Sequence, residues 1–229
     1  TGAGSPPAFE SVSSSVSALG DLSDATTTAT SNIGIGANAV DSITTGDYNV
    51  GFGLNAGTAD TTGSYNTAVG SYSLSANTTA DDNVGVGYGA LYVNTTGATN
   101  TAIGTSSLDT NTTGSDNVAL GAYALTSSTT ASYNTAVGRS ALGANTTGHS
   151  NTAVGKNALT ANTTALYNTA MGLNALATNT TGAENTGIGQ GALYSNTTAS
   201  YNVAVGKSSL TSNTTGHSHV AVGKSALAA

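Results

Sequence analysis

The protein has 229 residues, of which 30 are glycine and only 7% are charged; it contains no cysteine and no tryptophan, and its formal net charge is −7. This composition excludes the usual cytosolic enzyme and also a small secreted module held together by disulfides. Chains rich in Ser, Thr, Asn and Gly are often disordered, but disordered chains lack the strict register of apolar residues found here, so we predict an ordered protein.

Residues 1–31 form a separate N-terminal segment, rich in Ser and Thr, that does not share the repeat of the remaining chain. Four apolar residues within it are spaced by four, three and three positions, which favours one short helix or a brief coiled-coil neck. They are Val12, Val16, Leu19 and Leu22. The serine run and the threonines at 26–28 favour an extended arm instead, and both alternatives stay open. In either form the segment is long enough to bind a preceding part of the assembly.

The chain starts with Thr1 and not with Met, so we expect a processed product or a piece of something longer. It has no apolar signal segment and no run of about 18 apolar residues that would cross a membrane. We therefore expect no membrane insertion. The absence of cysteine is compatible with an extracellular or virion protein without requiring one.

Residues 32–229 consist of a 17-residue repeat that runs without insertion. We number its positions 1 to 17 from Asn32, so that Asn32, Asn49 and Asn66 occupy position 1 of the first three repeats. Position 1 is Asn in eleven of the twelve repeats and His219 in the last. So short a period is typical of a solenoid, in which each repeat forms one coil that packs only against its neighbours.

The repeat positions divide into a strand, a second apolar anchor and a polar return. Position 2 is mostly Thr or Val and position 4 is Val, Ile, Leu, Met or Phe, whereas position 3 is Ala or Gly and position 5 is always Gly. This alternation predicts a β-strand. Position 9 is Leu in ten repeats, and positions 12–15 mostly read Asn-Thr-Thr-Gly or Asn-Thr-Thr-Ala, which is typical of turns. We predict an all-β parallel solenoid, a β-roll, with about twelve coils stacked roughly 4.8 Å apart.

Two invariant or nearly invariant columns are predicted to form the corners of each coil. A Gly that never varies at position 5 indicates a positive φ angle or a close backbone approach. The Asn at position 1 is expected at the opposite corner, where stacked amides can pair between coils as a ladder. The predicted corner glycines are Gly36, Gly53, Gly70, Gly87, Gly104, Gly121, Gly138, Gly155, Gly172, Gly189, Gly206 and Gly223.

The restriction of positions 3 and 5 to Ala and Gly bears on quaternary structure. A face open to water would tolerate Lys, Glu, Gln or Ser, so we interpret this face, which includes Ala102 and Ala136, as a close-packed contact with other chains. Positions 4 and 9, such as Val154 and Leu159, are then predicted to fill the interior of the coil. A thin lone coil buries few large apolar side chains, so we expect that burying a second face between copies of the chain adds to its stability.

The repeat itself resembles a known kind of fibre. Segments 151–155 (Asn-Thr-Ala-Val-Gly), 157–159 (Asn-Ala-Leu) and 162–164 (Asn-Thr-Thr) resemble the head repeats of YadA-type trimeric autotransporter adhesins. They are still more similar to the repeats of phage tail fibres and related bacterial surface fibres, and the resemblance covers residues 32–229. It implies a homotrimer of parallel, left-handed β-rolls located outside the cell, on a cell surface or a virion.

The charges are distributed unevenly along the chain. All four basic residues occupy position 6, directly after the corner glycine; they are Arg139, Lys156, Lys207 and Lys224. Residues 1–138 carry ten acidic side chains and no basic one, and residues 139–229 carry four basic and one acidic, which gives net charges of −10 and +3. This basic stripe either meets anionic surface glycans or an acidic neighbouring segment, or it is an exposed corner where solvated side chains fit; the second interpretation is favoured.

Other candidate sites are weaker. His217 and His219, with His149 in the position of His217, lack a carboxylate partner and make a poor metal site. Five tyrosines share position 17, where they would stack on sugar rings or cover the edge of the coil; they are Tyr48, Tyr65, Tyr133, Tyr167 and Tyr201. No Ser/His/Asp constellation, phosphate-binding loop or calcium-binding run stands out, so we expect no enzyme, no catalytic residue, no cofactor and no metal.

Three classes of function are compatible with these observations. The first is a structural and adhesive fibre segment that attaches to a host or another surface, with partners that are copies of itself and a cell-surface glycan or a neighbouring fibre segment. The second is a self-assembling extracellular filament. The third is an ice-binding solenoid, suggested by the Thr columns at positions 13 and 14, although adjacent positions point to opposite faces. We expect no nucleic-acid partner, and we rank the classes in this order.

Overall fold

Each 17-residue repeat forms one coil of a parallel β-solenoid in the computed structural model, which describes residues 31–228. Twelve strands form one sheet in chain order, and each occupies positions 2–4 of its repeat. They are β1 (Ile33–Ile35), β2 (Val50–Phe52), β3 (Thr67–Val69), β4 (Val84–Val86), β5 (Thr101–Ile103), β6 (Val118–Leu120), β7 (Thr135–Val137), β8 (Thr152–Val154), β9 (Thr169–Met171), β10 (Thr186–Ile188), β11 (Val203–Val205) and β12 (Val220–Val222). The predicted all-β parallel solenoid is confirmed. The arm or neck predicted for residues 1–31 lies outside the described residues, except for Ser31.

The strands pair so that each repeat position lies beside the same position of the next coil. In the pairing of β7 with β8, for example, Thr135 is opposite Thr152, and Ala136 is opposite Ala153. The same 17-residue offset holds for the first pair, where Ile33 is opposite Val50. Each sequence column is therefore a physical column along the solenoid.

The two faces of the strand are the reverse of our prediction. Position 3 points into the coil, and Ala102 and Ala136 are fully buried there, whereas Ile103 at position 4 is 42% exposed. The reason is the thinness of the coil. A Cβ atom added to Gly34 would lie 2.5 Å from the carbonyl oxygen of Ala39, so no side chain fits there, and the other coils hold nothing larger than Ala between the strand and the segment opposite. The restriction to small residues thus marks the interior and not a contact between chains.

The core consists of small side chains at positions 3 and 8 packed around the Leu column at position 9. Leu159 is fully buried, as predicted, and it lies in one continuous cluster with Ala153 and Ala158. Val154, in contrast, is only half-buried and points outward, so its assignment to the core was wrong. In coils 3 to 11 one large apolar residue per coil therefore fills the interior.

The corner at position 5 has both properties predicted for it. The φ angles of its twelve glycines lie between 124° and 137°, a region that L-residues with a side chain rarely adopt. The coils also approach closely here, since a Cβ atom on Gly155 would lie 2.6 Å from the carbonyl oxygen of Gly172. In coils 1 to 11 both the conformation and the lack of space disfavour a side chain at this position, and in coil 12 the conformation alone disfavours it.

Positions 7, 9 and 17 adopt left-handed backbone conformations that the sequence pattern did not predict. In one coil, Asn157, Leu159 and Tyr167 have φ angles of 56°, 51° and 58°. Such angles cost roughly 1–2 kcal/mol per residue. Hydrogen bonds between coils offset this cost: the backbone N–H of Leu159 donates to Ala175 O at 3.0 Å, and that of Asn157 to Arg139 O at 3.0 Å.

Polar side chains connect the coils in three further columns. At position 1, Asn134 Oδ1 accepts a hydrogen bond from the backbone N–H of Asn151 at 3.0 Å and from its Nδ2 at 3.2 Å, which confirms the predicted Asn ladder. At position 12, Asn162 Nδ2 donates to Asn145 Oδ1 at 2.8 Å. At position 13, Thr Oγ1 groups donate to the position 13 carbonyl of the next coil. Asn therefore recurs at positions 1 and 12 for its structural hydrogen bonds.

Candidate functional site

The largest candidate surface is the outward face of the strands, formed by positions 2 and 4, which we call the outer strand face. Position 4 is apolar in all twelve coils, and its side chains remain substantially exposed even where coils stack on both sides, as for Met171 at 42%. Position 2 is Thr, Val or Ile and is half-buried in coils 2 to 11. No Lys, Arg, Asp or Glu interrupts either column.

The outer strand face is long and continuous. Twelve coils at roughly 4.8 Å per step make it about 53 Å long, and its columns are straight because every strand pairs in the same register. Contiguous apolar patches above a few hundred Å² are uncommon on monomeric soluble proteins and usually mark interaction sites.

The basic stripe is located as the sequence indicates. Arg139, Lys156, Lys207 and Lys224 are all exposed and lie in the column directly beyond the corner glycine. Arg139 and Lys156 are in adjacent coils, as are Lys207 and Lys224. The same column carries Leu173 and Gln190 between the two pairs. The stripe is therefore two pairs of cations, and its contact with an anionic partner stays a prediction.

The histidines are dispersed over the C-terminal half. The ring of His149 meets that of Tyr167 edge-on, with centroids 5.5 Å apart. His217 Nδ1 accepts a hydrogen bond from the backbone N–H of Ser200 at 2.9 Å, so the lone pair of this nitrogen is used in a contact between coils. Within residues 31–228 no group of three His, Asp or Glu side chains is placed to hold a metal ion.

The tyrosines of position 17 are exposed, but they form a platform at only one place. Tyr48 and Tyr65, in adjacent coils, stack with ring centroids 5.2 Å apart and an interplanar angle of 12°. Tyr133, Tyr167 and Tyr201 lie in alternate coils, separated by Ser150 or Glu184. Sugar stacking on this column stays a prediction.

The Thr side chains of positions 13 and 14 differ in their surroundings, as expected for adjacent positions that point to opposite faces. The hydroxyl at position 13 is occupied by the bond to the next coil, for instance from Thr163 to Thr180 O at 3.2 Å. The neighbouring Thr164 at position 14 is exposed. The surface thus presents one column of solvent-exposed Thr side chains. An ice-binding surface would need a two-dimensional array of Thr side chains that matches a layer of ordered water.

A cleft between coils 3, 4 and 5 was missed by the sequence reasoning. It has a volume of about 370 Å³ and is lined by Tyr72, Tyr88, Tyr92, Ser106 and Asp109 together with a glycine. The signal that was available is a glycine at position 7, where most coils carry a side chain, with two tyrosines close to it in sequence and a third at position 7 of the preceding coil. These tyrosines occupy positions 6, 7 and 10, so no single column reveals them.

One carboxyl group is buried inside the position 12 column. Asp60 is 2% exposed, and its Oδ2 accepts hydrogen bonds from Asn66 Nδ2 at 3.1 Å and Asn77 Nδ2 at 3.2 Å. Its Oδ1 accepts from the backbone N–H of Gly63 at 2.9 Å. Burial outweighs these bonds and raises the pKa of Asp60 from 3.8 to about 7. Since all its partners belong to the coil interior, we regard this group as structural.

Within residues 31–228 the structure contains no helix long and apolar enough to cross a membrane. No protein-family model matches the chain, and neither the curated proteins nor the solved structures contain a match to it. The similarity to adhesin heads and phage tail fibres therefore rests on the repeat alone.

Proposed function

We propose that this chain is a shaft or head segment of a homotrimeric extracellular fibre, on a virion or a bacterial surface, that mediates attachment to a host or another surface. Its three subunits pack against one another through the outer strand face. The observation that carries this proposal is the uninterrupted apolar column at position 4, whose side chains are half-buried or exposed in every coil of residues 31–228.

A second copy of the same chain is the occupant that this face fits best. The column has a fixed period of one coil, so a parallel copy in register places apolar side chains opposite apolar side chains over the full length. In coils 3 to 11 only one large apolar residue per coil is buried inside, so a second buried face adds much to a thin core. Cyclic closure of three copies buries the face without leaving an open edge. The resemblance to YadA-type heads and tail fibres implies the same trimer, with left-handed coils.

The rod shape and the surface chemistry favour attachment as the task. A stack about 53 Å long with repeating surface groups presents each group many times, and weak contacts repeated in this way add up by multivalency. In a trimer the two pairs of cations of the basic stripe are present three times, facing a glycan or an acidic neighbouring segment. The chain then acts by contact and not by catalysis.

Light scattering on the purified chain tests the assembly. We expect a particle of three times the 22.1 kDa chain mass at micromolar concentration. Ile103→Glu and Met171→Glu place charges in the proposed contact and are expected to dissociate the trimer. Their matched controls are Thr113→Glu and Thr181→Glu, which add the same charge at exposed position 14 of the same two coils.

A folded monomer for the unaltered chain, or a trimer that survives Ile103→Glu and Met171→Glu together, would refute the proposed contact. Negative-stain images of the same samples separate discrete rods from continuous filaments. Filaments would favour the alternative of a self-assembling extracellular filament subunit.

A further inference from the structure

We propose that the cleft formed by Tyr72, Tyr88, Tyr92 and Asp109 is a binding site for an organic cation, namely an alkylated ammonium group. It is separate from the outer strand face and does not depend on the fibre function. Tyr88 lies at position 6, beyond the corner glycine, where the chain has turned away from the strand.

Three tyrosine rings line the cleft, and Tyr72 meets the other two edge-on; we call these three rings the tyrosine cage. Tyr72 meets Tyr88 edge-on, with ring centroids 5.9 Å apart and an interplanar angle of 74°. It meets Tyr92 in the same way, at 6.2 Å and 79°. Rings at near right angles offer faces toward a compact ligand from two directions, and each face carries the negative lobe of the ring quadrupole that attracts a cation.

The cleft exists because a glycine is placed between side chains. Position 7 holds Tyr72 in coil 3, Gly89 in coil 4 and Ser106 in coil 5. Gly89 has a φ angle of 62°, and a Cβ atom built on it would find only Ser106 Oγ within 4 Å, at 3.8 Å. The space above Gly89 is therefore open, and Tyr88 and Tyr92 of the same coil form its walls.

A carboxylate lines the cleft. Asp109 is partly buried, and its Oδ1 accepts a hydrogen bond from Thr126 Oγ1 at 3.0 Å, which fixes its orientation. No Lys, Arg or His is among the lining residues, and the chain has no basic residue before Arg139. A carboxylate in an aromatic surround with no cation of its own is complementary to a cationic ligand.

A cation fits this geometry better than a sugar. A sugar ring binds by lying flat on one exposed aromatic face, and the stacked pair Tyr48 and Tyr65 has that form. The perpendicular rings of the cleft enclose a rounded group instead. Tyr88 is 59% exposed and Tyr92 is 45% exposed, so both can be reached from solvent.

The chain supplies a matched control in coil 10. Gly191 and Tyr194 repeat the Gly at position 7 and the Tyr at position 10, and Tyr194 is 43% exposed. Tyr88 and Asp109, however, are replaced there by Gln190 and Thr211. Coil 10 therefore has the same local backbone and one tyrosine without the cage.

The test is an NMR titration of the whole protein with tetramethylammonium and choline, following the ring-current shift of the ligand methyl protons. Tyr88→Ala and Tyr92→Ala are each expected to weaken binding about tenfold, and Tyr92→Phe, which keeps the ring face, by less than about threefold. Asp109→Asn should weaken it several-fold. Tyr194→Ala should leave it unchanged, and circular dichroism verifies that every variant keeps its fold.

Three results would overturn the proposal. They are equal binding of 3,3-dimethylbutan-1-ol, the neutral isostere of choline; tighter binding of a methyl glycoside than of choline; and equal loss of binding in Tyr194→Ala and Tyr88→Ala. If the cation binds as expected, phosphatidylcholine vesicles and a peptide carrying trimethyllysine distinguish a lipid source of the ammonium group from a protein source.

Discussion

The first two coils, residues 32–65, differ from coils 7 to 10, residues 134–201, in the columns that hold the solenoid together. In coils 7 to 10 position 9 is always Leu and position 12 is always Asn. In the first two coils position 9 is Val40 and then Gly57, and position 12 is Ile43 and then Asp60. The outer shape of the coil is the same in both regions, because the strand and the corner glycine are retained.

This difference shows which columns specify the coil and which stabilise it. Gly57 adopts the left-handed conformation of the Leu column, with a φ angle of 62°, but brings no side chain into the core. Asp60 occupies the Asn column but brings a buried carboxyl group. In a stack where each coil contacts only its neighbours, such departures weaken the coils beside them and not the whole rod. We therefore expect the free energy of local opening to be lowest in coils 1 and 2 and highest in coils 7 to 10.

The largest effect is expected from a cavity in the regular region. Leu159→Ala removes a fully buried side chain that lies between Leu142 and Leu176, and it should cost about 2–5 kcal/mol of local stability. Hydrogen exchange should show protection lost in the coils on either side of residue 159 and kept in distant coils. Uniform loss along the chain would contradict the one-dimensional description.

Val40→Ala is the matched change in the irregular region. Val40 is also buried, but its neighbour in the column is Gly57, so fewer contacts are lost. A cost as large as that of Leu159→Ala would mean that the two regions do not differ in packing.

The second effect comes from the buried carboxyl group of coil 2. The pKa of Asp60 is about 7 in the folded protein against an ordinary value of 3.8. Since the folded-state pKa is the higher one, its stabilising contribution is fully present below pH 3.8 and is lost as pH rises through about 7. The loss amounts to as much as about 4 kcal/mol, from roughly 1.4 kcal/mol per pKa unit.

Asp60→Asn should therefore stabilise the first coils at pH 8 and flatten this pH dependence, because it restores the amide found at position 12 of the regular coils. Chemical denaturation at pH 5 and pH 8 measures it. The converse variant, Asn162→Asp, should bring the same pH dependence into the regular region. If Asp60→Asn leaves the pH dependence of unfolding unaltered, another group is responsible for it.

A third and smaller effect concerns a break in the position 12 ladder. Ser128 replaces Asn there, and its Oγ and Asn111 Oδ1 are both buried without a hydrogen-bond partner. Asn145, on the other side, uses its Nδ2 for Gly148 O. Ser128→Asn restores the missing amide and should stabilise by about 1–2 kcal/mol. A thermal melt beside Asn162→Ser, which makes an equivalent break, checks the value; a destabilised Ser128→Asn would mean that the column has no room for the amide.

The smallest effect on stability, and the one most relevant to attachment, is expected from the basic stripe. Replacing Arg139, Lys156, Lys207 and Lys224 together by Gln should leave the fold and the assembly unchanged, because all four are exposed. Attachment to an anionic polysaccharide should weaken, and its dependence on salt should decrease, since contacts of exposed charges are screened beyond about 10 Å at 0.1 M salt. If attachment changes neither with the substitutions nor with the salt concentration, the basic stripe is only an exposed corner with solvated side chains.

Most of the fold could be predicted from the 17-residue period and from the residue types at each repeat position. The strand at positions 2–4, the corner at Gly155 and the Asn ladder at Asn151 follow from period, backbone preference and amide chemistry, and the structure confirms each of them. The orientation of the strand did not follow, because alternation shows that two faces differ but not which one is inside. Position 3 holds a small residue such as Ala102 because the strand lies close to the opposite segment of the coil. The sequence does not show how close these two segments are.

The left-handed backbone at Leu159 could not be predicted from the sequence either, since Leu has no preference for that conformation. Leu159 adopts it because the hydrogen bonds between coils offset its cost. The candidate sites divide in the same way. The basic stripe lies in one column and was visible in the sequence. The tyrosine cleft joins three coils and three different positions, so it became visible only when the coils were stacked.

Because every strand pairs with its neighbours at an offset of one repeat, the chain tolerates changes of length by whole repeats. Removing residues 151–167 would join Ser150 to Asn168, which is again position 17 followed by position 1, and β7 would pair with β9 in the register it now shares with β8. Each such deletion or duplication alters the reach of the rod by roughly 4.8 Å and creates no new kind of neighbour. Recombination between repeats can therefore change the length of the solenoid without a new folding problem at each step.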